Sequence, residues 1–350
     1  MKNSKTTFLF LLFFVSWNSI ALTQQPDPPG QVGAGEEPAH EAYLFAHMTH
    51  ADYGKLYYTV SLDGLHWELL NDGERVFEEY RGHPDICKGH DGRYYIAGNQ
   101  RDAAPDINIW VSEDLITWEH HADYTPDLQK TPGYEHALPR IGAPKLYYDK
   151  DSKQYVMTWH TPHEWGSKED PERYWASQRT LYVTSKDLMT FSEFPRRLFE
   201  WEMGTIDVII RKVGETYYTI IKDERYPTPE WVTGKTIRIG SSGSLLGPYS
   251  YPGDPISPNF HEAPMLIPSP DGQFWYMYYE QYPGVSYGLS VARHLEGPWY
   301  KISGYTFYSD WDKYSMPPKV RHGCMITISQ EEYDRLVNHF GKAEMPVEEE

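Results

Sequence analysis

The chain has 350 residues, 40% hydrophobic and 15% aromatic with 29 Tyr and 12 Trp, which is far too much packing surface for a disordered polymer. Fifty Asp and Glu against 32 Lys and Arg give a formal charge of −18, which repels a polyphosphate backbone and excludes nucleic acid as a partner. Two cysteines cannot build a multi-bridge framework, and 27 Gly with 27 Pro are the turn punctuation of an all-β chain.

Lys2 and Lys5 precede the apolar run from Phe8 to Val15, and Ser19 and Ala21 form a small-x-small pair, so residues 1–21 read as a secretory signal. The run is too short to span a bilayer, so no membrane anchor is expected after cleavage and the mature protein is expected to be secreted or periplasmic. Residues 22–40, rich in Pro, Gly and Gln, read as a linker. One domain is expected over 41–340, followed by an acidic tail over 341–350.

Within the domain one motif recurs five times. Ser61 leads to Trp67 in SLDGLHW, Ser112 to Trp118 in SEDLITW and Ser185 to Phe191 in SKDLMTF, each six residues on. Ser242 to Tyr249 in SGSLLGPY and Ala292 to Trp299 in ARHLEGPW stretch this to seven. The aromatics lie 51, 73, 58 and 50 residues apart, room for about four strands per repeat. Each copy follows an alternating run such as KLYYTVS or RTLYVTS, so it marks a turn after a strand, with its aromatic expected between sheets.

A second series keeps step with the first: GHPDICKG from Gly82, GAPKLYYD from Gly142, TIDVIIRK from Thr205, HEAPMLIP from His261 and RHGCMITI from Arg321. Each begins a strand that a turn such as HDGR, KDSK or PDGQ joins to an aromatic-rich strand. Five such repeats predict a five-bladed β-propeller whose first strands line the central channel. Segments 43–49, 55–61 and 67–70 are expected to complete the blade whose innermost strand is 322–328, so the two ends of the domain close one sheet and remove a free edge. Helical character is expected over 330–340.

The starts of the innermost strands offer His83, Asp85, Lys145, Asp207, Glu262 and His322 to the channel mouth. His47, Asn99, Arg101, His160, Trp165, Arg225, Gln281 and Tyr282 fall on strand ends or loops beside them. Of these, Trp165, Arg225 and Tyr282 are sugar-binding candidates, because carbohydrate sites combine flat rings with fixed donors. No Asp-rich calcium loop or zinc spacing is present, and Cys87 and Cys324 read as two buried thiols rather than a disulfide.

DGLHWELLNDG, GAPKLYYDKDSKQYV, TIDVI, YYTIIKDER, HEAPM and the terminal KVRHG, in this order at blade spacing, resemble glycoside hydrolase family 43 over about residues 41–340. The resemblance implies Glu262 as general acid and Asp207 as the carboxylate that tunes and orients it. Where the family carries Asp-Pro-x-Ile with the general base first, this chain reads His83-Pro84-Asp85-Ile86, so the acid has moved by two positions. Residues i and i+2 of a strand share a face, so Asp85 is still expected to address the channel, about 6–7 Å along it, as the base, with Asp52 in reserve and His83 in the usual place. Lys145 stands where many relatives carry an acid, which points either to an anionic substrate or to a partner for one of the carboxylates. His322 is a candidate for sugar contact or for a channel-bound calcium or sodium ion, although no cofactor is required. The implied activity is a secreted, exo-acting, inverting glycosidase that removes a pentose, xylose or arabinofuranose, from a carbohydrate substrate. A galactosidase or other hexose-releasing enzyme, and a noncatalytic sugar-binding propeller, are the alternatives.

Overall fold

The structure, a computed structural model, describes residues 41–99, 105–135, 140–163, 170–282, 286–303 and 313–343. The signal segment, the linker and the tail from residue 344 lie outside them. In chain order the strands are β1 (Ala42–Thr49), β2 (Tyr57–Ser61), β3 (Glu68–Leu69), β4 (Ile86–Lys88), β5 (Tyr94–Gly98), β6 (Ile107–Ser112) and β7 (Glu119–Tyr124). They continue as β8 (Gly142–Asp149), β9 (Gln154–Pro162), β10 (Gln178–Ser185), β11 (Arg196–Arg197), β12 (Thr205–Val213), β13 (Thr216–Asp223) and β14 (Thr236–Ser242). The last five are β15 (His261–Pro268), β16 (Trp275–Gln281), β17 (Tyr287–Ala292), β18 (Tyr300–Ser303) and β19 (Val320–Ile328).

Five antiparallel sheets result, ordered β19-β1-β2-β3, β4 to β7, β8 to β11, β12 to β14 and β15 to β18. This is the all-β, five-bladed β-propeller that the repeat spacing predicts. Its ring closes as expected, with Ala42 facing Ile328 and Ala46 facing Cys324 across β1 and β19. The fourth blade has three strands instead of four. Pro248, Pro252, Pro255 and Pro258 deny ladder donors to the segment after β14, which attaches through single bonds such as Ser250 N–H to Ser241 O, 2.8 Å.

The recurring motif is a side-chain-closed turn. Ser61 Oγ accepts the Gly64 N–H at 2.9 Å, and Asp63 Oδ1 accepts those of Leu65 and His66 at 2.8 Å each. Ser112 with Asp114, and Ser185 with Asp187, repeat the arrangement. The motif aromatics wedge between blades: Trp67 meets Phe45 and Tyr278 edge-on at 5.9 and 6.2 Å. Five apolar clusters fill the gaps between neighbouring blades, exemplified by Tyr58 with Ile96, Ile109 with Met157, Val156 with Ile210, Ile220 with Met277, and Tyr278 with Phe45. Full burial of each aliphatic side chain contributes about 1.5–3 kcal/mol. Cys87 and Cys324 are free thiols, Cys324 Sγ accepting the Ile86 N–H at 3.0 Å.

A C-terminal helix (Gln330–Phe340) follows β19 and seats Tyr333 and Leu336 in the wedge between the first two blades. Ser329 and Glu332 form its capping box. Glu332 also accepts from Tyr94 and, at 3.0 Å, from Lys88, which ties the helix to β4 and β5. Burial pushes the Glu332 carboxyl up, but Tyr94, the Ser329 N–H and Lys88 outweigh it and hold it at about 2, against 4.5 normally. A depressed folded value stabilises the fold above the ordinary carboxyl range, and that stability is lost as pH falls toward the folded value. Glu332→Gln is therefore expected to cost about 2 kcal/mol at neutral pH. Urea unfolding of both proteins between pH 7 and pH 2 checks this, since the gap should close over the lower part of the range.

Candidate active site

The innermost strands β8, β12, β15 and β19 share one device near their first residues. Register slips between Gly142 and Lys145, Ile206 and Ile209, and Glu262 and Met265, and opposite His322 in β19. Ala143, Asp207, Ala263 and His322 sit there with φ of 42°, 52°, 49° and 30°, in the left-handed region that non-glycine residues rarely enter. Bulges re-aim side chains, and four strained residues around one channel mouth mark it as the functional end of the fold.

Glu262 stands just before its bulge, buried to 6% exposure, among groups from three strands. Its Oε2 accepts from Lys222 Nζ at 2.8 Å, its Oε1 lies 3.0 Å from His322 Nε2, and Arg321 Nη2 is 3.7 Å away. Asp207, from the preceding blade, accepts the Ala263 N–H at 3.2 Å and so grips the bulge that carries Glu262. Directly across the β15–β16 ladder from Glu262 is Glu280, fully buried, whose oxygens meet the His322 N–H at 3.1 Å and Arg321 Nε at 3.1 Å. Burial and then the charge of Glu262 push the Glu280 carboxyl well above its usual range, against the pull of Arg321. Burial, then His83 and Arg321, hold the His322 imidazole well below its ordinary value.

Lys222 also pairs with Glu224 at 2.5 Å, and Glu224 pairs in turn with Lys235, so alternating charges run outward from Glu262. Burial works against the Lys222 charge, yet Glu262 and Glu224 outweigh it and raise its pKa above the ordinary lysine value. Glu280, Lys222, Glu224, Arg321 and Lys235 were not among the sequence candidates. A signal for three of them existed: Lys222 and Glu224 are two apart next to Arg225, and Glu280 lies across the hairpin from Glu262.

Asp85 precedes its strand rather than lying within it. β4 begins only at Ile86, so His83 and Asp85 do not alternate within one strand. His83 neighbours the Glu262 cluster through His322, whose Nε2 lies 3.0 Å from Glu262, whereas Asp85 turns to β8. Asp85 Oδ2 accepts the Leu146 N–H at 2.7 Å and Oδ1 lies 3.6 Å from Lys145 Nζ. Burial pushes its carboxyl up, partly offset by Lys145 and that N–H. Lys145 is thus the partner of a carboxylate rather than a cation held free for an anionic substrate. His83 Nε2 lies 2.6 Å from the Tyr53 hydroxyl, and its ring is 4.7 Å from that of His322. Asp52, the reserve, is committed to Arg75 at 2.5 and 2.8 Å and to Tyr57 at 2.6 Å.

Of the other candidates, His47 is buried against Thr59 at 2.7 Å and pushed down to about 4 by burial. Asn99 donates to Ile141 O at 3.2 Å. His160 lies over Gly142, where a Cβ would come within 2.0 Å of its Nε2, and burial pushes it down to about 3. Tyr282 is half exposed with Lys222 Nζ 6.0 Å from its ring, and Arg225 is held by Asp223 at 2.6 Å. Arg101 and Trp165 fall outside the described residues.

Glu262, Glu280 and His322 bring ligand atoms within 4.8 Å of one another, which raises the channel cation again. The donor set does not fit one. Calcium takes six to eight oxygens, whereas this pocket has two carboxylates, an imidazole and two cationic side chains already on those carboxylates.

No curated protein matches this chain in sequence. Among solved structures it is similar to an exo-β-1,3-galactanase from Phanerochaete chrysosporium, at 15% identity and TM-score 0.48 over 65% of this chain and 50% of that one. It is similar also to an exo-β-1,3-galactanase from Clostridium thermocellum, at 16% and 0.47 over 67% and 50%, and to an α-L-arabinofuranosidase from Lactobacillus brevis, at 16% and 0.49 over 63% and 72%. The chain spans about half the length of the two galactanase chains. A family model described as a probable glycosyl hydrolase domain matches residues 38–334, and with that match the chain belongs to the glycosyl hydrolase 43-related family.

Proposed function

We propose that the protein is a secreted or periplasmic exo-acting glycosidase that removes a terminal pentose, xylose or arabinofuranose, from a polysaccharide or oligosaccharide with inversion of configuration. The observation that carries the glycosidase part is Glu262, held at the channel mouth by the Asp207–Ala263 bond and faced by Lys222 and Arg321. The pentose part comes from the motif resemblance.

Inversion needs a proton donor for the departing oxygen and a base for water on the opposite face of the sugar. Glu262 is the donor in this reading. The carboxylate that Glu262 becomes once its proton has gone to the departing oxygen is the form that Lys222 and Arg321 face in the structure, so little reorganisation is needed to stabilise it. Water activation falls to His83 rather than Asp85 in this reading, because His83 packs on His322 beside Glu262 and is oriented by Tyr53, while Asp85 is engaged with Lys145 and Leu146. A second reading, sugar binding without turnover, is favoured by the same replacement of a carboxylate by histidine.

Incubation with xylan, arabinan, arabinogalactan and their oligosaccharides is expected to release a single monosaccharide, identified by chromatography. NMR of the first-formed anomer should show α-xylose from a β-xyloside. Retained configuration would overturn the mechanism, galactose would overturn the pentose assignment alone, and binding without release would establish the second reading.

A further inference from the structure

The face that carries Glu262 extends over the fourth blade as a series of exposed rings. The connection from β13 to β14 is rooted beside the site, since the Lys235 N–H donates to Arg225 O and the Lys235 carbonyl accepts the His261 N–H, both at 2.9 Å. His261 immediately precedes Glu262. From this root the connection presents Trp231, 40% exposed, next to Tyr251 at 54%. Exposed aromatics in series are costly on a surface with no partner.

These rings are held rather than loose. The Arg225 guanidinium lies 4.1 Å from the Trp231 ring and donates to the Tyr251 hydroxyl at 2.7 Å. Asp223, fully buried, anchors Arg225 at 2.6 Å and Arg238 at 2.9 Å, and Arg238 lies 5.7 Å from the same Trp231 ring. Nearer the site, Lys235 Nζ is 4.2 Å from the Tyr226 ring and 5.9 Å from that of Trp175. Every one of these rings sits by a cation, and each cation already has a carboxylate partner in Asp223 or Glu224. The strip therefore offers oriented ring faces and polar edges whose cations are each tied to a carboxylate, Arg225 and Arg238 sharing Asp223.

We infer that the Trp231–Tyr251 strip binds further units of a neutral glycan chain whose terminal sugar occupies the pocket at Glu262. Sugar rings present C–H faces to aromatic planes and hydroxyls to polar edges, and rings fixed in advance lose little entropy on binding. An acidic glycan would find no unpaired cation in this strip. The placement of the terminal sugar rests on the glycosidase reading; the strip's affinity for glycan does not.

Affinity electrophoresis and calorimetry with the Glu262→Gln protein separate the two. Xylan, arabinan and β-1,3-galactan are the neutral probes and polygalacturonate the acidic one. At least one neutral polymer is expected to bind, with affinity falling about tenfold in Trp231→Ala and in Tyr251→Ala, and largely restored in Trp231→Phe. Tyr300→Ala, which removes a still more exposed ring from the outer strand of the fifth blade, should bind as before. Thermal melts confirm that each variant is folded. Unchanged affinity in folded Trp231→Ala, failure of all three neutral polymers to bind, or a preference for polygalacturonate would overturn the inference. Loss of binding in Trp231→Ala alongside wild-type protein that cleaves nothing would uphold the strip and overturn the glycosidase reading.

Discussion

Glu262→Gln is expected to lower kcat by about 10²–10⁴-fold, the usual contribution of a positioned general acid. The amide keeps the shape of the carboxyl, so the variant should still fold and bind sugar. It cannot pass a proton to a leaving oxygen, and it presents a neutral group to Lys222 and Arg321, which lie 2.8 and 3.7 Å away in the wild type. The loss should shrink for substrates whose leaving group departs without protonation, so a nitrophenyl glycoside should suffer less than a natural disaccharide. Equal losses on both would deny Glu262 the role of acid, and undiminished turnover would remove it from the chemistry altogether.

His83 and Asp85 should separate by the kind of damage their removal causes. His83→Gln is expected to reduce kcat by about 10²-fold or more while leaving unfolding unchanged within about 0.5 kcal/mol. Asp85 and Lys145, by contrast, form a buried pair at 3.6 Å. Removing one partner strands the other, at about 3–5 kcal/mol, whereas an apolar pair of similar volume is often tolerated. Lys145→Met should therefore unfold at markedly lower urea, and the double variant Asp85→Leu with Lys145→Met should recover much of the loss. If Asp85→Asn instead abolished turnover in a protein of unaltered stability, Asp85 would be the base after all.

The architecture was legible because each blade repeats one local solution. A Ser–x–Asp turn closed by side-chain bonds, followed by an aromatic that wedges between blades, leaves the same spacing wherever it occurs, and Ser61, Ser112 and Ser185 carry it without alteration. Glu262 and Asp207 were legible for a related reason, since both sit in short motifs at the starts of inner strands. The expectation for Asp85 rested on strand alternation, and alternation holds only where a strand exists; β4 begins one residue too late.

Local sequence determined the number of blades, the turn chemistry and two of the acids, because these follow from bonds and pleats within a few residues, and the count of strands left over at the two ends then required them to close one sheet. Tertiary structure decided the company those acids keep. Lys222 comes from a second strand and Glu224 from just beyond its end, Glu280 from across a hairpin, and Arg321 and His322 from the far end of the chain, 59 and 60 positions from Glu262. They meet because bulges at left-handed residues turn the inner strands toward one axis, and low-dielectric burial then makes each charge depend on neighbours from other blades.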